Sequence, residues 1–414
     1  MNVKEYAIEC VRLIRRGLFK LILPVRAMKC KKMIRRKGTP VNIIFLTQFP
    51  EMWNSEKSVY EHMIKHPDKF TVHIVAIPKV LGYKDGKLLF CSRNEMKEFL
   101  DHEGVEYIEG IKDGQWFDIH TFEPGVIILQ RPYDYYMPDE YSQYMLSRHF
   151  LLCYIPYGFE FVLGTHLNIE YNDAALNSLY MVFADNKDTY DYVLKRSRTE
   201  LKLGGRKVYN VGYPRFDLID KEEQGNRKKT ALWLPRWSVS ESTDKSHFPD
   251  YFETLFSYFS NSDWKLIIRP HPLMFTNFVE RGVLTEETEK EIKEKVEKSS
   301  NISWDQNADY IQTFYQTDFL ICDYTSLMIE YFATGNPIIY CGATECFNTA
   351  GKAMDDGLYH AYSWSELERE IDHLIHGTDP LKTARLDKIH EILNNESNIG
   401  SVISDIIYDN SMKN

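Results

Sequence analysis

TDFLICDYTSLMIEYFATGNPIIY (317–340) contains the building unit of the whole chain. FLIC is a short, unbroken apolar run of the kind expected for a strand buried on both faces. Asp323 and the Thr325–Ser326 pair follow, and Ser or Thr there caps a helix. Gly335 and Pro337 close that helix before the next apolar run, PIIY. Strand, helix and strand in so few residues make a crossover unit of a parallel sheet.

The same alternation extends in both directions. Upstream lie VNIIFLT (41–47), FTVHIVAIP (70–78), VEYIEG (105–110), VIILQ (126–130) and LLCYIP (151–156), with helical stretches at 55–65, 94–103 and 139–148. A second series starts near 207 with KVYNVG and continues through TALWLP (230–235), WKLIIRP (264–270) and FLICDY (319–324). The reading is α/β and GT-B-like: two Rossmann-like domains, 38–205 and 206–395, facing a central cleft, then a C-terminal helix over 396–414. Ligands of such sheets sit at the carboxyl ends of the strands.

Composition narrows the function. Apolar residues are 43 % and charged residues 27 % of 414, as in ordinary globular proteins, and the net charge is −10. A globally basic nucleic-acid binder is excluded on that balance. Seven cysteines without a CxxC pair fit a reducing compartment rather than a disulfide scaffold or a zinc site. No apolar run reaches the roughly 18 residues of a spanning helix.

Charge is uneven. Residues 1–37 carry twelve Lys/Arg against Glu5 and Glu9. The spacing predicts a helix over 3–23 ended by Pro24, with Val3, Ala7, Val11, Ile14, Leu18, Leu21 and Ile22 on one arc and Arg12, Arg15, Arg16 and Lys20 mostly opposite. An amphipathic basic arm of this kind suits an anionic membrane surface, at about 1 kcal/mol per cation. The alternative is a helix packed on the core.

Glycine-rich phosphate loops and the GxSxG nucleophile elbow are absent, so neither NAD, P-loop ATP nor hydrolase chemistry is indicated, and no cofactor or metal is expected. The chemistry-bearing residues stand at strand ends. In IIRPHPL (267–273) two prolines restrain His271 at a tip, with Arg269 before it. An imidazole there can donate to a phosphate or take a proton. In the 317–340 unit, Asp323, Thr325 and Ser326 open a helix whose free N–H groups suit an anion, and Glu330 lies one turn on, positioned for ribose hydroxyls. In NVGYPRFDLI (210–219), Arg215 is either a ligand contact or part of the domain junction.

Together VGYPRFD, LWLPRW, RPHPL, TDFLICDYTS…NPIIY and the tail NNESNIGSVISDII (394–407) resemble the CDP-glycerol glycerophosphotransferase family of teichoic-acid primases and polymerases, chiefly over residues 200–410. The resemblance implies a GT-B fold, peripheral attachment at the cytoplasmic face of the membrane, and transfer of a polyol phosphate from a CDP-activated donor to a glycan or lipid-linked hydroxyl. It also implies that His271, Thr325 and Ser326 surround the donor pyrophosphate. The family's His-Gly pair, taken as the base, is replaced by Tyr157-Gly158 in YIPYGFEF (154–161), and Glu160 and His166 are the substitutes nearby.

The expected reaction is attack of an acceptor hydroxyl on the β-phosphorus, releasing CMP. His271, Arg269 and Arg236 would supply positive electrostatics. The rivals are a GT-B glycosyltransferase using a CMP- or UDP-sugar and a non-catalytic membrane scaffold.

Overall fold

The computed structural model describes residues 21–84, 87–133, 137–163, 165–219, 228–239, 245–305, 310–392 and 398–413. The chain forms two compact units. One takes residues up to 160, 164–218 and 396–414; the other takes 161–163 and 219–395.

The first unit is built on a parallel sheet: β1 (Val41–Thr47), β2 (Phe70–Ala76), β3 (Ile108–Glu109), β4 (Gly125–Leu129), β5 (Leu151–Tyr154), β6 (Met181–Ala184) and β7 (Lys207–Asn210). Their order is β7-β6-β5-β4-β1-β2-β3. Counted from the far edge this is 3-2-1-4-5-6-7, the doubly wound arrangement, whose switch point lies between β1 and β4. Every residue of β1 is buried, as the unbroken apolar run requires. Register is fixed where β4 enters: Gly125 lies opposite Asn42, and a Cβ there would stand 2.1 Å from the Asn42 carbonyl oxygen.

The second unit repeats the scheme with β8 (Thr230–Leu234), β9 (Lys265–Ile268), β10 (Ile302–Trp304), β11 (Phe319–Cys322), β12 (Ile338–Tyr340) and β13 (Tyr359–His360). The order β10-β9-β8-β11-β12-β13 places its switch point between β8 and β11. Its core gathers Trp233, Phe248, Phe252, Leu255, Trp264 and Phe278, with the Trp233 and Phe248 rings stacked at 5.2 Å.

Three sequence expectations change. KVYNVG starts no second domain: β7 pairs with β6, and the boundary falls at 218/219 rather than 205/206. The C-terminal helix expected over 396–414 is present, but it does not stand apart from the two units. Helix Ile399–Met412 belongs to the first unit, where the Asp217 carboxylate receives the Ile399 and Gly400 N–H groups (2.9 and 2.7 Å). That capping gives the GYPRFD stretch an architectural task which sequence spacing could not reveal.

The basic arm is the third case. Residues 1–20 lie outside the described residues, and with them most of the expected amphipathic arc. From 21 to 37 the chain is helical (α1), running through Pro24 rather than stopping there. Pro24 is buried, its ring so close to Gly205 that a Cβ at 205 would meet it at 2.7 Å, so packing holds a proline that propensity alone would reject. Leu23, Ala27, Cys30 and Ile34 form the buried stripe, and Arg26 donates to Ser147 Oγ (2.7 Å) and the Tyr144 carbonyl (3.0 Å).

Helix α2 (Pro50–Ile64) buries Glu56, 1 % exposed, with no hydrogen-bond partner for either carboxylate oxygen. Burial pushes its carboxyl well above the ordinary range, so the folded chain holds a proton that the unfolded chain releases near pH 4.3. Stability therefore falls as pH rises above that value, until the folded group ionises in turn. Glu56→Met should raise stability near pH 7 by about 1–3 kcal/mol and flatten that decline, checked by thermal melts across the pH range.

Candidate functional site

The carboxyl ends of β8, β9 and β11 bring three loops of the second unit to its switch point. After β8 come Pro235, Arg236 and Trp237. After β9 comes the Arg269–His271 tip, whose His271 N–H donates to the Pro235 carbonyl (3.3 Å). Asn277 Nδ2 fixes the first loop through the Trp237 carbonyl (2.8 Å), and the Trp237 and His271 rings lie 5.9 Å apart.

Arg236 ties the His271 side to the Asp323 side. Its main-chain N–H donates to Asp323 Oδ2 (3.0 Å), and its Nη1 donates to the Tyr324 carbonyl (2.9 Å). The guanidinium lies 4.6 Å from the Tyr324 ring centroid. Crowding by the surrounding chain and the Arg236 charge push the His271 imidazolium down to about 4, although the residue as a whole is exposed. The ring is thus neutral near pH 7. Leu273 N–H donates to His271 Nδ1 (3.2 Å), which leaves the proton on Nε2. The tip therefore offers a directed N–H donor beside a cation.

The structure gives several sequence candidates different surroundings from those expected. Asp323 is 1 % exposed; besides the Arg236 N–H it receives Ser246 Oγ (3.3 Å) and His247 N–H (3.1 Å), and its Oδ1 lies 2.7 Å from His247 Nδ1. It anchors loops and offers no free face to a ligand. Glu330, 2 % exposed, accepts from Tyr310 Oη (2.5 Å) inside the unit, so the one-turn spacing does not bring it to the surface for ribose. Ser326 makes no side-chain cap bond and is exposed; Thr325 Oγ1 instead accepts from Leu327 N–H (3.3 Å), and the helix that follows is short, Leu327–Phe332. Arg269 Nη1 is paired with Asp305 (2.9 Å), which also holds Thr313 Oγ1 (2.7 Å).

Arg215 belongs to the first unit, buried, with its guanidinium on the Glu51 carbonyl. Glu160 is in the same unit; its N–H donates to Asp185 Oδ2 (2.6 Å) and its carbonyl accepts from Asn186 Nδ2 (2.6 Å). The side chain of His166 lies outside the described residues. Tyr157, which replaces the histidine of the expected His-Gly pair, lies in the first unit. Burial pushes its phenol above the ordinary range, so it keeps its proton, while its carbonyl is held by Tyr213 Oη (2.9 Å) and Ser55 Oγ (3.2 Å).

Sequence reading missed His247, which stands in irregular chain after a polar stretch with no strand tip to mark it. It also missed Glu170 and Asp185, whose carboxyls burial pushes up to about 8 and about 6.

No curated protein is similar enough in sequence to count as a relative. Among solved structures, a UDP-N-acetylglucosamine 2-epimerase from Listeria monocytogenes superposes with a TM-score of 0.58 at 11 % identity, over 89 % of this chain and 96 % of that one. The wall teichoic acid polymerase TagF superposes with a TM-score of 0.51 at 13 % identity, over 99 % and 98 %. A TagF variant soaked with CDPG gives 0.51 at 14 %, over 97 % and 98 %. At those identities the likeness is one of fold. Residues 170–345, which contain the Arg236, His271 and Asp323 tips, match the family model of the CDP-glycerol:poly(glycerophosphate) glycerophosphotransferases, and the resemblance carried by VGYPRFD, RPHPL and DYTS holds over that segment.

Proposed function

We propose that this protein transfers a polyol phosphate from a CDP-activated donor to a hydroxyl of a glycan or lipid-linked acceptor, releasing CMP. The observation that carries this reading is Arg236, which links the His271 tip to the Asp323–Ser326 turn at one switch point. The acceptor oxygen bonds to the β-phosphorus as the bond to CMP breaks, and negative charge gathers on the phosphoryl oxygens. His271 Nε2–H and the Arg236 guanidinium provide fixed positive electrostatics there, and the Thr325 and Ser326 hydroxyls add donors. The family match over 170–345 supports the donor class.

The reading includes work at the cytoplasmic face of a membrane. No described helix is long and apolar enough to cross one. Leu21, Val25 and Met28 are exposed on α1, beside a groove of about 880 Å³ whose lining includes Lys31, Lys32, Arg35, Arg36, Lys207 and Lys413. Apolar side chains beside clustered cations suit anionic headgroups.

A donor screen tests the reading. Purified protein with acceptor should release CMP from CDP-glycerol or CDP-ribitol. Turnover of only UDP- or CMP-sugars would give the site to a glycosyltransferase instead.

A further inference from the structure

We propose that His247, held by Asp323, accepts the proton of the attacking hydroxyl. The inference rests on the transfer reading above and adds to it the group that replaces the missing His-Gly base.

The geometry is that of a carboxylate–imidazole pair. Asp323 lies at the tip of β11, fully enclosed, and holds His247 twice: Oδ2 by the main-chain N–H at 3.1 Å and Oδ1 by ring Nδ1 at 2.7 Å. In the neutral ring the Nδ1 proton is directed at the carboxylate, so the lone pair sits on Nε2, on the opposite edge. Tyr251 stacks on the imidazole with centroids 5.2 Å apart and planes 15° from parallel, which limits rotation of the ring. The His247 side chain remains 22 % exposed, so the pair has an outlet to solvent.

The pair is coupled to the donor cation. The Asp323 oxygen that receives the His247 N–H also receives that of Arg236. One buried carboxylate thus positions both the arginine beside His271 and a basic imidazole.

Two other candidates are poorly suited. His271 has Nδ1 occupied by Leu273 N–H, carries its proton on Nε2, and resists further protonation until about pH 4. Tyr157 keeps its phenolic proton.

The step balances. The acceptor O–H proton moves to Nε2, the oxygen's electron pair forms the new O–P bond, and the P–O bond to CMP breaks with its pair leaving on CMP. The imidazolium is stabilised by the Asp323 carboxylate beside it and then releases its proton to water. Charged and titratable groups around the ring and its stacked partner are Asp323, Arg236, Tyr251, Asp250, Glu366 and Cys341. Burial pushes the Tyr251 phenol up to about 12, so it keeps its proton near neutrality, and Asp250 is ion-paired with Lys245 (2.9 Å).

The test uses full-length protein, with CMP release as the readout and thermal melts as the folding control. His247→Gln should lower kcat by about 10²–10⁴-fold, leave CMP affinity unchanged, and abolish the acid-side fall of the rate profile. His247→Gly should regain activity with added imidazole, an outcome that requires a folded variant and that a packing role would not give. Near-wild-type kcat with an unchanged pH profile in His247→Gln would overturn the proposal. So would a folded His247→Gly that imidazole does not rescue, or loss of the acid limb in Glu170→Gln instead. Absence of CMP release from wild-type protein with every CDP-polyol would sink the transfer reading itself and is recognisable as such.

Discussion

His271→Ala should reduce CMP release from a CDP-polyol by about 10²–10³-fold, the usual cost of removing one preorganised donor to developing charge. The residue is exposed, so the variant should fold and melt like the wild type. His271→Gln should recover part of the loss, because an amide N–H can stand in for Nε2–H. The pH dependence follows from the depressed imidazolium. Between about pH 5 and 8 the His271 ring stays neutral, so its own protonation adds no step to the rate profile at the ordinary histidine value near 6.5. The stability consequence has a definite sign. The unfolded ring takes a proton near 6.5 and the folded one only near 4, so this residue lowers stability as pH falls through that interval. CMP release measured across the pH range, beside melts, checks each statement.

Asp323→Ala carries the largest expected stability effect. The carboxylate is buried and collects the N–H groups of Arg236 and His247, the Ser246 hydroxyl and the His247 ring. Removing it orphans these donors together, for which a loss of about 3–5 kcal/mol is expected. Because the donors sit on the loops that follow β8 and precede helix Phe248–Ser260, the loss should unfasten those loops before it melts the sheet. CMP release should vanish at temperatures where circular dichroism still reports native helix content. Asp323→Asn should be intermediate, since its amide presents one acceptor and turns an N–H toward groups that are themselves donors. A variant with wild-type melting and activity would show that Asp323 does not hold the site.

The sheets were legible because strands buried on both faces leave unbroken apolar runs, and VNIIFLT, TALWLP and FLIC each became a central strand. The strand tips were legible for a related reason: a parallel strand ends where polar and proline residues begin, as at Arg269–His271 and Asp323. What sequence could not supply was the third dimension. The placement of β7 depends on its partner β6, and Pro24 is tolerated because Gly205 makes room for its ring. Glu330 looked available by helical spacing, yet the face it lies on turns toward Tyr310. His247 carried no local pattern at all, since its chemistry arises from a carboxylate 76 positions away.

If the switch point of the second unit binds the donor diphosphate, a structure determined with CDP bound will show it there. Phosphate oxygens should lie within hydrogen-bond reach, about 2.7–3.2 Å, of His271 Nε2 and of a donor from the Thr325–Ser326 turn, with the Arg236 guanidinium alongside. Nucleotide density away from the β8, β9 and β11 tips, with these groups in contact only with solvent, would contradict it.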